Sequence, residues 1–409
     1  MRETILFFLQ RLRSSQKSGS VTGPIIRIAT ASVALGMVVM IIAAATGIGL
    51  QEAIRNKVSD LSGHIQITAY KDSDGQTTPP FLLSEAIEED LLEAHPNLIK
   101  SVEPYGTLAG IAKSKKEFEG IVFKGLDSDF SNYSNYLIRG NIPAQADSLP
   151  YEIMVSEYLA NRLQIDLGEK IAIYINSGSR SKPRVRTFKL VGIFETGMDF
   201  MDESLVVGKL AGLRKLNLWQ EEEIGGLEIR LHNPNQMEEA EILLHQKTSF
   251  LVKAESIERK YPQVFQWIEL FDLNILVVLI IMILVAGINM ITTLLILMIE
   301  RTPMIGTLKA LGAEKKFIRV LFLNQGMSLL ARGMIWGNLI GLGLILIQHQ
   351  FELIKLDPGT YYVDHVPISF PWFWFFGINL GTGIITLIML WIPSGYISKI
   401  QPVKAIRFE

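Results

Sequence analysis

The chain has 409 residues, of which 49% are hydrophobic, and a mean hydropathy of +0.28. That is too apolar for an ordinary soluble domain and too polar for a chain that is all membrane, so a mixed architecture is expected. The net charge of −2 hides an acidic block, residues 51–270, with 24 Lys/Arg against 33 Asp/Glu, while the absence of cysteine excludes disulfides, thiol nucleophiles and cysteine metal sites.

Residues 1–27 set Arg2, Arg11, Arg13, Lys17 and Arg27 against Glu3 alone. Phe7, Phe8 and Leu9 there predict a short amphipathic helix on the membrane surface, or a partly ordered leader. No residue from Ile28 to Leu50 is charged. At about 1.5 Å per residue this run spans about 34 Å, enough for a hydrocarbon core of about 30 Å. A cleaved signal peptide competes with a retained span, because Ala43-Ala44-Ala45 resembles a cleavage site. Signal-peptide cores run about 7–15 residues, so this longer run predicts a retained helix.

Residues 51–270 contain no further span and predict a soluble α+β domain. Ile54, Val58 and Leu61 recur at helical spacing, so Gln51–Leu61 should continue the first span as a stalk. His64–Thr68 alternates like a strand, and Asp72–Pro80 is a polar turn. A helix is predicted over 83–95, strands over Ile121–Phe123 and Glu152–Val155, and a helix over Glu157–Leu163 closed by Asp166-Leu167-Gly168. Lys170–Ile175 and Arg184–Ile193 predict a hairpin whose connection, Asn176–Pro183, is polar. Helices are predicted over 204–218 and 237–247, with a strand at Gly226–Leu231. The pairs Asp199/Asp202 and Glu221-Glu222-Glu223 read as a turn and a solvated face. Gln263–Phe271 should form a second stalk.

Leu273–Ile299, Val320–Ile347 and Phe370–Ile392 are three further candidate spans, the last opening on the aromatic belt Phe370–Phe376. The expected fold class is an α-helical membrane protein with four transmembrane helices and one large extracytoplasmic α+β domain between helices 1 and 2. The N-terminal segment, the 300–319 loop and the 393–409 tail together hold 13 basic and 4 acidic residues, whereas 348–369 is acidic. The positive-inside bias therefore puts both termini and the 300–319 loop in the cytoplasm and the large domain outside it.

No phosphate loop G-x-x-x-x-G-K-[ST], no H-E-x-x-H and no G-x-S-x-G occurs, and the six histidines are scattered, so neither a catalytic site nor a metal site is predicted. Packing signals are clearer. Gly333, Gly337 and Gly341 form a small-residue ladder on the third span, Gly377 and Gly381 repeat the spacing on the fourth, and Ala43 with Gly47 on the first. Arg332 lies about thirteen residues past the cytoplasmic edge, where a charge costs roughly 2.5–3.5 kcal/mol. It is expected to face the bundle or a wet cavity, near Asn289 or Asn338. In the loop Glu300–Arg319, Met304, Ile305, Leu308 and Leu311 recur every three or four residues, so a short helix with an apolar face for a docking partner is predicted.

Several stretches resemble the FtsX-like, MacB-type (type VII) permeases of ABC transporters. They are Pro303–Ala313, Pro402–Arg407, Met154–Leu163 with Leu167–Lys170, and Val191–Gly197. The length, the lack of a fused ATPase and Leu61–Ile67 are most similar to the lipoprotein-releasing, LolC/LolE-type permeases. The resemblance implies a non-catalytic subunit with no cofactor of its own, ATP and Mg being bound by a separate cytoplasmic ATPase. It makes Met304–Ala313 the coupling helix, with Met304, Ile305, Leu308, Lys309, Leu311 and Gly312 as its ATPase contacts. It also implies a second permease subunit (a homo- or heterodimer), surrounding membrane lipids, a periplasmic lipoprotein carrier and no nucleic acid. In such permeases the carrier docks on an apolar hairpin loop. The matching loop here is short, polar and basic, with Asn176, Arg180, Lys182 and Pro183 as candidate contacts. Two other functions fit the family, MacB-like mechanotransmission for drug, toxin or peptide efflux and FtsX-like regulation of cell-wall hydrolases.

Overall fold

The computed structural model describes residues 22–70, 76–82, 91–93, 95–127, 130–144, 151–175, 183–249 and 252–395. Its main helices are α1 (Thr22–Ser62), α2 (Glu157–Leu163), α3 (Leu210–Asn217), α4 (Met237–Lys247), α5 (Pro262–Glu300), α6 (Thr302–Ala310), α7 (Lys315–Phe351) and α8 (Trp372–Ser394). Among the described residues, α1, α5, α7 and α8 are long and apolar enough to cross a membrane. The described residues divide into two compact units. The membrane unit holds those up to Glu52, Trp267–Lys355 and those from His365 onward; the domain unit holds Ala53–Gln266 and Leu356–Asp364.

In the membrane unit α1 is the most enclosed helix. Val33, Met37, Met40, Ile41, Ala44, Ala45 and Ile48, spaced three and four apart, are all buried. Lipid provides no hydrophobic drive between helices, so close contact must come from small residues that let backbones approach. Gly333, Gly337 and Gly341 of α7 do this against α1. A Cβ on Gly333 would stand 2.7 Å from Val33 Cβ, and one on Gly337 2.5 Å from Met37 Cβ. Gly47 of α1 is in turn covered by Ile275 of α5. The α1 helix runs through Ala43–Ala45 without a break.

The domain unit has strands β1 (Ile65–Ala69), β2 (Phe81–Leu82), β3 (Ile99–Lys113), β4 (Phe118–Leu126), β5 (Leu137–Gly140), β6 (Glu152–Ser156), β7 (Lys170–Ile175), β8 (Arg184–Phe194), β9 (Leu205–Lys209), β10 (Glu223–Ile224), β11 (Gly226–Leu231) and β12 (Val252–Ser256). The long strand β3 organises them. Its first half pairs with β11, which continues through β1 to β12, while its second half pairs with β7. Because β7 pairs with β8, β8 with β6, β6 with β9, β9 with β4 and β4 with β3, these strands close into a six-stranded ring. The ring is filled by alternating inward residues, among them Phe123 and Phe188, whose rings meet edge-on at 5.2 Å. Helix α3 covers β4, where Gly125 lets Leu210 and Leu213 come close.

One expectation is corrected here. Residues 204–218 are not one helix. Leu205–Lys209 forms β9, parallel to β4 with Val122 opposite Leu205, and α3 begins at Leu210. Two adjacent valines buried on both faces, Val206 and Val207, favour a central strand over a helix. The fifteen-residue β3 has no counterpart of that length among the expected elements. In the connection between α7 and α8, Leu356–Asp364 groups with the domain unit. Most of the helix expected over 83–95, the 1–21 leader and the Pro402–Arg407 motif lie outside the described residues.

Candidate functional site

The sequence points first to α6. Pro303 occupies the first turn, where its missing N–H costs nothing, and Thr302 Oγ1 donates back to the Ile299 carbonyl at 2.7 Å. The far end is closed by paired bonds, Gly312 N–H to Lys309 C=O at 3.1 Å and Ala313 N–H to Leu308 C=O at 2.9 Å. Gly312 sits at φ +86°, the left-handed conformation that this Schellman ending requires and glycine adopts without strain.

The apolar face of α6 is not left for a partner. Ile305 is fully buried, and Met304 and Leu308 pack half-buried against a cluster that includes Leu294, Leu297, Ile318 and Phe322. Burying Ile305 alone stabilises this arrangement by roughly 1.5–3 kcal/mol. The surface that faces outward is Pro303, Thr307, Ala310, Leu311 and Gly312, with Leu311 80% exposed. Lys309 is lowered from its ordinary pKa by desolvation and then by repulsion from Lys315. The expected stripe of four thus splits. Three residues clamp the helix to its own bundle, and Leu311 projects from it.

Other expected site residues fall differently. Arg332 is exposed on α7 and makes no hydrogen bond or ion pair with any described residue. It does not meet Asn289, which donates to Ser32, or Asn338, which donates to Asn379 across α7 and α8 at 2.7 Å. Gly333, the next residue, takes the inward face, which turns Arg332 away from α1. Gly377 and Gly381 pack on nothing described within 4 Å. The buried face of α8 is instead Ile378, Thr382, Thr386 and Leu390, one residue per turn. Pro183 is exposed at the start of β8, while Asn176, Arg180 and Lys182 lie outside the described residues.

A second cluster, not anticipated from the sequence, holds the C-terminal end of α1. A helix leaves its last carbonyls without intrahelical partners. Here the sheet supplies the donors. Arg230 Nη1 and Nη2 donate to the carbonyls of Ser59 and Asp60 at 3.0 and 3.1 Å. Lys124 Nζ donates to that of Leu61 at 2.5 Å and Gln66 Nε2 to that of Ser62 at 2.8 Å. Tyr133 adds a second bond to Leu61 at 3.3 Å. Lys124 is buried and paired with Glu228 at 2.7 Å. Burial opposes its charge, but the Glu228 carboxylate outweighs that and holds the ammonium above its ordinary pKa. A cavity of about 190 Å³ opens beside the pair, lined also by Tyr105, Lys260 and Tyr261. The signal in the sequence is a lysine in the middle of the apolar strand Ile121–Leu126.

Asp202 ends the one-turn helix Asp199–Asp202. It is buried, and its carboxylate accepts from Thr196 N–H, Thr196 Oγ1 and Gly197 N–H at 2.9–3.1 Å. Burial raises its pKa against these bonds.

Spanning helices, a short loop helix clamped to them and a large strand-ring domain bonded to the end of α1 define a polytopic membrane protein with an extramembrane domain. Residues 28–246 match the MacB-like periplasmic core domain and residues 276–402 the FtsX-like permease C-terminal domain. A lipoprotein-releasing system transmembrane protein LolC of Neisseria meningitidis is 23% identical over 98% of both chains. A LolE of Haemophilus influenzae is 18% identical over 98% of this chain and 99% of its own. The periplasmic region of MacB from Actinobacillus actinomycetemcomitans is 12% identical, with a TM-score of 0.34, over 49% of this chain and 91% of that one. The chain belongs to the FtsX-like, MacB-like family of ABC transporter permeases.

Proposed function

We propose that this chain is the permease subunit of an ABC transporter that extracts lipoproteins from the inner membrane, driven by a separate cytoplasmic ATPase. The observation that carries the reading is the alignment with LolC- and LolE-named relatives over 98% of this chain, which includes both units and not one domain alone. In this reading both termini and α6 face the cytoplasm and the domain faces the periplasm. ATP and Mg belong to the partner, which docks on the outward edge of α6 at Leu311. A second permease subunit completes the complex, and a periplasmic carrier receives the product.

Depletion of the chain tests this. Lipoproteins destined for other compartments should accumulate in the inner-membrane fraction; normal lipoprotein sorting after depletion would overturn the reading. The match of 28–246 to the MacB-like core favours a second reading, efflux of a drug, toxin or peptide. Depletion would then sensitise cells to such compounds with lipoproteins correctly sorted.

A further inference from the structure

The connection between α7 and α8 has a built seat on the domain unit. Its residues Leu356–Asp364 form a closed loop, with Leu356 N–H donating to Asp364 C=O at 2.9 Å and Thr360 Oγ1 to Asp357 Oδ2 at 2.8 Å. Lys57, on the domain portion of α1, donates from Nζ to the carbonyl of Tyr362 at 2.7 Å. Tyr362 lies at φ +61°, a conformation costly for a residue with a side chain, so its surroundings must hold it there. Its ring meets Phe200 edge-on at 6.4 Å, and Phe200 meets Tyr261 at 5.7 Å.

The receiving turn is shaped for this loop. Gly197, at φ +64°, faces Pro358, and a Cβ there would stand 3.0 Å from Pro358 Cβ and 3.3 Å from Lys57 Nζ. Asp202 fixes that turn through its three bonds to Thr196 and Gly197. Lys57 also lies 5.7 Å over the ring of Tyr136, with the carboxylates of Asp202, Asp364 and Glu195 around it. One lysine therefore joins α1, the turn after β8 and the α7–α8 connection.

We propose that segment 356–364 is a third attachment through which the domain acts on α7 and α8, and that Lys57 is the positioning residue that holds it. The domain is already continuous with α1 and α5. Segment 356–364 adds a third chain connection, held on the domain side by Lys57. Movement started at α6 then reaches the domain through every spanning helix. This proposal rests on the permease reading for its consequence in transport, but not for the attachment itself.

The test uses the full chain in phospholipid nanodiscs, followed by amide hydrogen exchange. In Lys57→Met the Leu356 and Tyr362 amides should exchange about tenfold faster or more, the share a charge-assisted hydrogen bond contributes to local opening, with β1 and β11 unchanged. Lys57→Arg, which keeps the donor, should restore protection. Tyr362→Ala, which leaves α1 intact, should loosen the same amides even where Lys57→Met fails to fold. In cells Lys57→Met should strand lipoproteins in the inner membrane while the chain reaches its normal level. Unchanged exchange in both variants overturns the attachment. Faster exchange with normal lipoprotein release overturns its role in coupling. Failure of the lipoprotein reading itself appears separately, as normal sorting in the depleted parent strain, and the exchange result then decides the attachment alone.

Discussion

Lys124 and Glu228 face each other at 2.7 Å with both side chains almost wholly out of solvent, and the same ammonium caps the Leu61 carbonyl at the end of α1. Removing one partner leaves the other charge buried and uncompensated. Lys124→Met should therefore lower domain stability by about 3–5 kcal/mol, and Lys124→Met/Glu228→Gln should recover much of it. Chemical denaturation of the full chain in detergent measures both. An equal loss in the single and double variants would show that the stranded Glu228 charge is not what destabilises Lys124→Met.

Stability should also fall with acid. His64 Nδ1 accepts the Leu231 N–H at 3.1 Å, which holds the ring neutral. Burial, then Arg230 and Lys100, lower its pKa from 6.5 to about 4. Between those values the unfolded chain binds a proton that the native ring refuses. The contribution is complete above pH 6.5 and is lost as pH falls toward 4, at about 1.4 kcal/mol per unit before solvent screening. His64→Asn, which keeps an acceptor without the titration, should flatten the slope between pH 7 and 4.5.

The glycines should separate by what they touch. Gly337→Val forces a side chain into Met37 and the Ala34 carbonyl and should cost at least about 1–3 kcal/mol as overpacking. Gly381→Val meets nothing within 4 Å and should leave the chain's own thermal transition unchanged. Thermal unfolding in detergent distinguishes them, and equal effects would contradict the assigned contacts.

Arg332 has no hydrogen-bond or ion-pair partner among the described residues. Arg332→Leu should ease insertion of the third span by roughly 2.5–3.5 kcal/mol, the cost of a central arginine, without lowering thermal stability. A glycosylation-based insertion assay on the isolated span gives the first quantity. A large loss of stability would reveal an internal partner for the guanidinium.

The two ends of the α6 stripe should behave oppositely. Ile305→Asp buries a carboxylate in the bundle and should reduce the amount of folded chain in membranes. Leu311→Asp changes a side chain that is 80% exposed and should leave the fold intact while abolishing co-purification of the ATPase. Retained co-purification in Leu311→Asp would remove Leu311 from the docking surface.

The sequence by itself marked the candidate spans, because about twenty largely apolar residues in a row, even with one arginine in the third, have no comfortable place other than lipid or a large core. It also marked the α7 glycine ladder, since close helix approach requires small residues whatever the neighbour. Periodicity in α6 identified an apolar face correctly, but a pattern of four residues carries no information about whose surface covers it. Only the tertiary structure decided that Met304, Ile305 and Leu308 turn inward and Leu311 outward. The same holds for Arg332 and for Gly377 and Gly381, where spacing alone could not choose between lipid, bundle and solvent. The deepest features join residues far apart in the chain. Lys124 meets Glu228 and the end of α1, and Lys57 meets Tyr362 across 305 positions. Contacts of that range depend on how distant segments are brought together, which no local pattern in the sequence records.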